Sequence, residues 1–284
     1  MRRKFVLLCM VLFLLTSFSY ADSFKVVTLG ADLTQDQKNN MLKEFNIEDG
    51  DGQIIYVTNE EEREYLKGIA SLSKIGNRAI SCAYVKPLEE DSGIKVSISN
   101  LTWVTEEMIA SSLTTAGVKD VEVKASAPFK VSGTAALTGI MKGFEKATGK
   151  ELSQDAKNAA NKEIITTGEL GDQFGKDKAV EIMQEVKKEV IDNNVKTPDD
   201  IRTIIQKVAK HNDVNLSEEQ IQKIIDVMNQ ISKLDLNMKE ISNQLKDIGG
   251  KLSQVISQNE EAKSLLTKII DMLQSIMNKI KNWI

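Results

Sequence analysis

Three short strings in this 284-residue chain combine residue types at a spacing that supports chemistry. Ser71-Leu72-Ser73-Lys74 has the S-x-x-K form, which sets a hydroxyl nucleophile and an amine base one helical turn apart. Only two fixed residues define it, no K-T-G follows, and both side chains fall at the end of a predicted helix, where Ser and Lys are ordinary surface residues. Asp91-Ser92-Gly93 matches half of an aspartic-protease site, but it has no second copy and lies in the acidic tip Glu89-Glu90-Asp91, where a turn accounts for it. Ser132-Gly133-Thr134 sits between an extended stretch and a helix start, where free backbone N–H groups can hold an anion or where the residues serve as an N-cap. Ser132, Gly133 and Thr134 are the candidate ligand-binding positions.

Much other chemistry is excluded by composition. The chain has one histidine, His211, and two cysteines, Cys9 and Cys82. Histidine is the usual proton shuttle and the commonest metal ligand, and zinc sites need several His or Cys together. No H-E-x-x-H, paired C-x-x-C, G-x-x-x-x-G-K-[ST] or G-x-G-x-x-G is present. His211 reads as a solvated helix end and Cys82 as a core strand residue, with a Cys82/His211 dyad left open. The acidic clusters Glu60-Glu61-Glu62 and Asp49 to Asp51 lack the ligand order of an EF-hand and read as a solvated helix start and a turn. No cofactor, no metal and no assigned catalytic residue are expected.

The first 21 residues follow the grammar of a signal peptide: Arg2, Arg3 and Lys4, an apolar run from Phe5 to Leu15, then Ser19-Tyr20-Ala21 with small residues three and one positions before a cut after Ala21. The apolar run is short of the roughly 20 residues that span a bilayer, and Cys9 lies inside it rather than at a lipobox. Cleavage leaves 263 residues, removes three basic residues and no acidic one, and moves the net charge from −4 to −7. An acidic chain without a Lys/Arg block argues against a nucleic-acid partner. No transmembrane anchor is expected in the mature chain, and a lone Cys82 leaves no internal disulfide.

Positioning these residues falls to a mixed α/β segment, 22–149, followed by a helical segment, 150–216, and a long amphipathic helix or helical hairpin, 217–284. Strands are predicted at 24–29, 53–57, 79–85, 94–100 and 121–124, the third and fourth as a hairpin. Thr34 with Gln37, Asn59 with Glu62, and Thr105 mark helix starts, the second running to about Lys74; a further helix spans about Thr134 to Ala147. After Gly149 the β-branched alternation disappears. Ser153 opens one helix, Asp172 to Ile191 forms another, Thr197-Pro198-Asp199-Asp200 places Pro at a first helical position, and Ser217 with Gln220 caps the next. From Ile224 to Trp283 apolar residues step by three and four, interrupted by Asn259, in a coiled-coil-like pattern. Gly249-Gly250 marks a hinge or turn at which a helical hairpin could fold back. The residues Leu252, Val255, Asn259, Leu266, Ile269, Leu273, Ile276, Ile280 and Trp283 are the candidate partner-binding or self-association stripe. The fold class is α+β or mixed α/β, then all-α with a coiled-coil-like tail.

Several strings carry a resemblance: Val27-Thr28-Leu29-Gly30 with Leu33-Thr34, Thr58-Asn59, Asn100-Leu101-Thr102-Trp103-Val104-Thr105, Thr115-Ala116-Gly117, and Pro128-Phe129 through Val131-Ser132-Gly133-Thr134-Ala135-Ala136-Leu137-Thr138-Gly139. On these, about Phe24 to Leu245 resembles the YpuA-like family of exported Gram-positive bacterial proteins, whose function is not established. The resemblance implies export and transfers no catalytic or binding residue. The tail after Gly250 is less characteristic of that family. The combined reading is a secreted or cell-envelope interaction protein, with a His-independent extracellular enzyme acting on envelope material, or a self-associating structural protein, as the alternatives.

Overall fold

The computed structural model describes residues 24–48, 51–235 and 238–257. Five strands form one mixed sheet: β1 (Val26–Gly30), β2 (Gln53–Val57), β3 (Cys82–Pro87), β4 (Ile94–Leu101) and β5 (Val121–Val131), in the order β2-β1-β3-β5-β4. β1 is parallel to β2 and antiparallel to β3, and β5 is antiparallel to β3 and parallel to β4. The expected hairpin of the third and fourth strands is therefore corrected, since β5 inserts between them. Side-chain character decides the order. Val121, Val123, Ala125 and Ala127 of β5 are at most 1% exposed, whereas Lys95, Ser97 and Ser99 of β4 face solvent, which suits an edge strand.

Among the described residues, ten helices surround this sheet. On the α/β side are α1 (Gln35–Glu44), α2 (Asn59–Tyr65), the single turn α3 (Leu72–Ile75), α4 (Glu106–Thr115) and α5 (Thr134–Thr148). The helical side contributes α6 (Gln154–Phe174), α7 (Lys176–Asp192), α8 (Pro198–His211), α9 (Glu218–Ile231) and α10 (Met238–Ser257). Capping boxes at Thr34/Gln37 and Ser217/Gln220, and N-caps at Thr105, Ser153 and Thr197, stand where the sequence places them. Two boundaries differ. α2 is capped by Thr58 with Glu61 rather than Asn59 with Glu62, and it ends at Tyr65. The α6–α7 break falls at Gly175, whose φ of 85° ends one helix and starts the next, not at Asp172.

α5 lies across β1 and β3 on one face of the sheet, close enough that a Cβ on Gly139 would stand 2.2 Å from Thr28 Oγ1. On the other face, Met41 and Phe45 of α1 pack with Val27, Leu29, Cys82 and Tyr84. The apolar core continues past Gly149: Ala160, Ile164 and Ile165 of α6, Val180 of α7 and Ile248 of α10 join the cluster built from β5, α4 and α5. A second cluster is formed by α6 to α10.

The apolar stripe that begins at Ile224 serves two helices instead of one. α9 ends at Ile231, and α10 starts at Met238 and passes through Gly249-Gly250 without a break, so no hinge or turn forms there. Ile224, Val227, Ile231, Ile241, Leu245 and Ile248 are all buried within the chain, on α6, α7, α8 and α4. Leu252 and Val255 belong to α10; Asn259, Leu266, Ile269, Leu273, Ile276, Ile280 and Trp283, with the proposed signal peptide, lie outside the described residues. No helix among the described residues is long and apolar enough to cross a membrane.

The junction between the two halves is tightest where Trp103, 5% exposed, lies on Gly168 of α6. A Cβ there would come within 2.5 Å of Trp103 Cζ2, a rigid ring that has no room to withdraw. Gly168→Ala is expected to destabilise the protein by about 2 kcal/mol in urea unfolding and to shift the fluorescence of the displaced indole.

Candidate functional site

The second half of β5 is irregular. Ser99 pairs with Ser126 but Leu101 pairs with Val131, so residues 127–130 loop out opposite Asn100, whose Nδ2 donates to the Ala127 carbonyl at 2.8 Å. Gly133 then caps α5 with φ 104°, a left-handed backbone that leaves no side chain over the helix end. Other elements supply the polar groups. Ala136 N–H donates to Ser81 Oγ at 2.8 Å. Ser132 Oγ donates to the Lys74 carbonyl at 3.1 Å and lies 3.3 Å from Thr134 Oγ1. Ser132, Gly133 and Thr134 thus meet the end of α3 and the start of β3.

A fourth residue completes the cluster. Glu62 on α2 is 1% exposed, its Oε2 receives a long 3.4 Å hydrogen bond from Asn59 Nδ2, and its Oε1 has no partner among the described residues. Burial pushes its carboxyl up to about 7; hydrogen bonding from Thr134 and Asn59 and the charge of Arg63 draw it back, while the charge of Asp32 adds to the rise. A carboxyl poised near neutrality beside a helix N-terminus and two hydroxyls can take up or release a proton. Ser132 is not set up as a nucleophile, because its hydroxyl is engaged by a backbone carbonyl and no side-chain base reaches it among the described residues.

The S-x-x-K string resolves differently. Ser71 Oγ pairs with Ser73 Oγ at 2.9 Å. Lys74 Nζ makes an ion pair with Asp172 at 2.7 Å and lies 4.8 Å above the Trp103 ring, while Trp103 Nε1 donates to the same Asp172 oxygen at 3.3 Å. Lys74 is therefore a clamp between α3, the 101–105 loop and α6. Cys82 is fully buried in the sheet, and burial pushes its thiol up to about 12; the Gly30 backbone draws it down, and Glu44 adds to the rise. His211 ends α8, away from that cluster, and no Cys82/His211 contact forms. A groove of about 250 Å³ between α6 and the start of α9 is lined by polar groups that satisfy one another, including Lys223 with Glu169 at 3.0 Å and Gln220 with Gln173 at 2.8 Å.

Residues 29–248 match the family model described as "Protein of unknown function (DUF1002)". The chain belongs to this family. The "Uncharacterized protein YpuA" of Bacillus subtilis (strain 168) is 38% identical over 258 residues, spanning 90% of this chain and 88% of its own length. No solved structure matches. The matched region runs from the end of β1 through the other four strands, the α5 start and the helical body to Ile248, and leaves the 251–284 stripe outside it.

Glu62 was missed among the three consecutive glutamates because side-chain type alone does not separate them. Glu61 closes the capping box and bridges to Lys142 at 2.6 Å, and Glu60 is exposed. The available signal is periodicity: Glu62 stands four residues before the fully buried Leu66, on the inward face of α2. Its raised carboxyl has a stability consequence. Below the unfolded value of about 4.5 both states are protonated, and between there and about 7 folding takes up a proton, so stability falls as pH rises through this window. At about 1.4 kcal/mol per unit, the loss is about 3 kcal/mol at most. Glu62→Gln is expected to flatten this dependence, matching the wild type below pH 4.5 and exceeding it above pH 7, as read by denaturant midpoints across pH.

Proposed function

We propose that this chain is exported, cut after Ala21, and acts outside the cytoplasm as a secreted or cell-envelope binding protein that engages a protein partner, or a second copy of itself, through its C-terminal stripe. The observation that carries this reading is the continuity of α10. Its first half is anchored on the body by Ile241, Leu245 and Ile248, the helix runs on through the two glycines to Ser257, and the same apolar spacing continues in sequence from Leu252 and Val255 through Leu266, Ile269, Leu273, Ile276 and Ile280 to Trp283. A helical body anchoring the base of such a stripe suits a coiled-coil-like tail, with Asn259 fixing register. The alternative of a His-independent hydrolase draws less support, since among the described residues the hydroxyls of Ser71 and Ser132 meet no side-chain base and Lys74 is held by Asp172.

Capture experiments on the mature protein from its own cells' envelope and medium, beside a form ending at Gly250, test this. The expected outcome is a recovered chain that begins at Asp22 and either a stoichiometric partner or a self-associated mass, lost on truncation. A partner or mass retained by the truncated form, or the same monomer from both forms, would contradict the tail as the binding element.

A further inference from the structure

A second concavity, of about 440 Å³, opens where the turn after α2, the first half of α6 and the end of α9 come together. This volume falls within the range that small-molecule sites occupy, about 300–1,000 Å³. Each of the three segments contributes a lysine: Lys67 from the turn, Lys162 from α6 and Lys233 from the turn after α9. Their charges are poorly compensated. Lys162 and Lys233 make no ion pair among the described residues, and Lys67 makes only a 3.3 Å contact with Glu64 in which both side chains are about three-quarters exposed, an arrangement worth little in water. Asp155 is the one carboxylate in the lining.

The remaining groups are donors or apolar floor. Asp155, Asn158 and Lys162 recur at i, i+3 and i+7 and so share one face of α6. Gln230 adds an amide, and Gly68, at φ 70°, has open space where a Cβ would stand, so no side chain crowds that wall. Ile69 packs against the sheet-side core and Leu234 against the helical core, so the floor is fixed from both halves. Three lysines lining one concavity in an otherwise acidic chain are matched by a ligand of multiple negative charge. Lysines bind phosphate oxygens as point charges, and no arginine offers the planar fork that favours bidentate carboxylate recognition.

We propose that this groove is a binding site for a phosphate-bearing anion carrying two or more charges, taken either as a small soluble phosphate or as a segment of a phosphate polymer. None of its lining residues belongs to the Glu62 cluster or to the C-terminal stripe, and its failure would leave the proposed tail-mediated binding untouched. The test titrates the full mature protein at low salt with inorganic pyrophosphate and, in parallel, with long-chain inorganic polyphosphate. Saturable binding is expected, falling at least about tenfold in Lys162→Ala/Lys233→Ala and weakening as salt is raised. Lys95→Ala/Lys130→Ala, which removes the same charge from exposed positions on β4 and β5, is expected to bind as the wild type. Lys233→Glu serves as a second variant and is expected to lose more than an alanine at the same position. All these side chains are at least partly exposed, so wild-type thermal unfolding should accompany each change. Equal affinity for both phosphates, per site, assigns the small soluble form, and preference for the long chain assigns the polymer. Absence of saturable binding, retention in the Lys162/Lys233 variant, or an equal loss in the Lys95/Lys130 control would overturn the proposal.

Discussion

Among the described residues, one fully buried ion pair of the helical half is hydrogen-bonded to α4 of the sheet half, and this shared node holds the two halves in register. Lys187 of α7 is 0% exposed and Glu163 of α6 is 2% exposed, and Lys187 Nζ donates to both carboxylate oxygens at 3.0 and 3.1 Å. The sheet side completes the node. Ser111 of α4 gives its carbonyl to Lys187 at 2.8 Å and its hydroxyl proton to Glu163 at 2.5 Å, and Thr115 donates to the other carboxylate oxygen. Burial lowers the Lys187 pKa while the Glu163 charge and hydrogen bonds pull it back up. Taking two charges out of water costs several kcal/mol per ion, so the pair is favourable only when every donor and acceptor is met. That condition is satisfied at one relative placement of α4, α6 and α7, which gives the node its directional character.

The rest of the architecture follows from where α6 is thereby fixed. Its Gly168 receives Trp103, its Asp172 receives both the Trp103 N–H and Lys74, and α3 is drawn against the entry to α5. The Lys74 carbonyl in turn receives Ser132, whose neighbour in the same turn, Thr134, reaches the Glu62 carboxyl. The lysine-lined groove depends on the same helix, since Asp155, Asn158 and Lys162 lie on its first half and face elements from both sides of the chain. Position is thus relayed from the buried Glu163–Lys187 node to two polar surfaces that, among the described residues, retain unmet capacity: a Glu62 carboxylate oxygen without a partner in one, and Lys162 and Lys233 without an ion pair in the other.

Local structure was legible in the sequence because it is set by neighbours in the chain. The capping residues Thr34, Thr105, Ser153, Thr197 and Ser217 each satisfy backbone donors within three residues, and each starts a helix as read. Family resemblance was legible from the strings around Gly30, Trp103 and Gly133. Strand order was not, because the insertion of β5 between β3 and β4 depends on which strand buries Val121, Val123 and Ala125, a tertiary outcome. The stripe from Ile224 onward was read as a long helix or a hairpin turning at Gly249-Gly250, because a heptad pattern does not record that one helix ends at Ile231 and the next starts at Met238. Turn chemistry singled out Ser132, Gly133 and Thr134 as candidates, while Glu62 beside Thr134, and Glu163 and Lys187 in the core, were passed over as residue types normally solvated. The missed signal is positional: Lys187 stands one turn from Met183 and three residues from Val190 on the buried face of α7, where a charge requires a partner.

The most direct test of this account is a double-mutant cycle on Glu163→Gln and Lys187→Met, measured by urea unfolding of the mature chain. Each single change should cost about 3–5 kcal/mol because it strands an uncompensated buried group, and the double variant should lose clearly less than the sum. Single losses below about 1 kcal/mol that simply add, the behaviour of an exposed pair, would contradict the claim that α4, α6 and α7 are held together by this buried node.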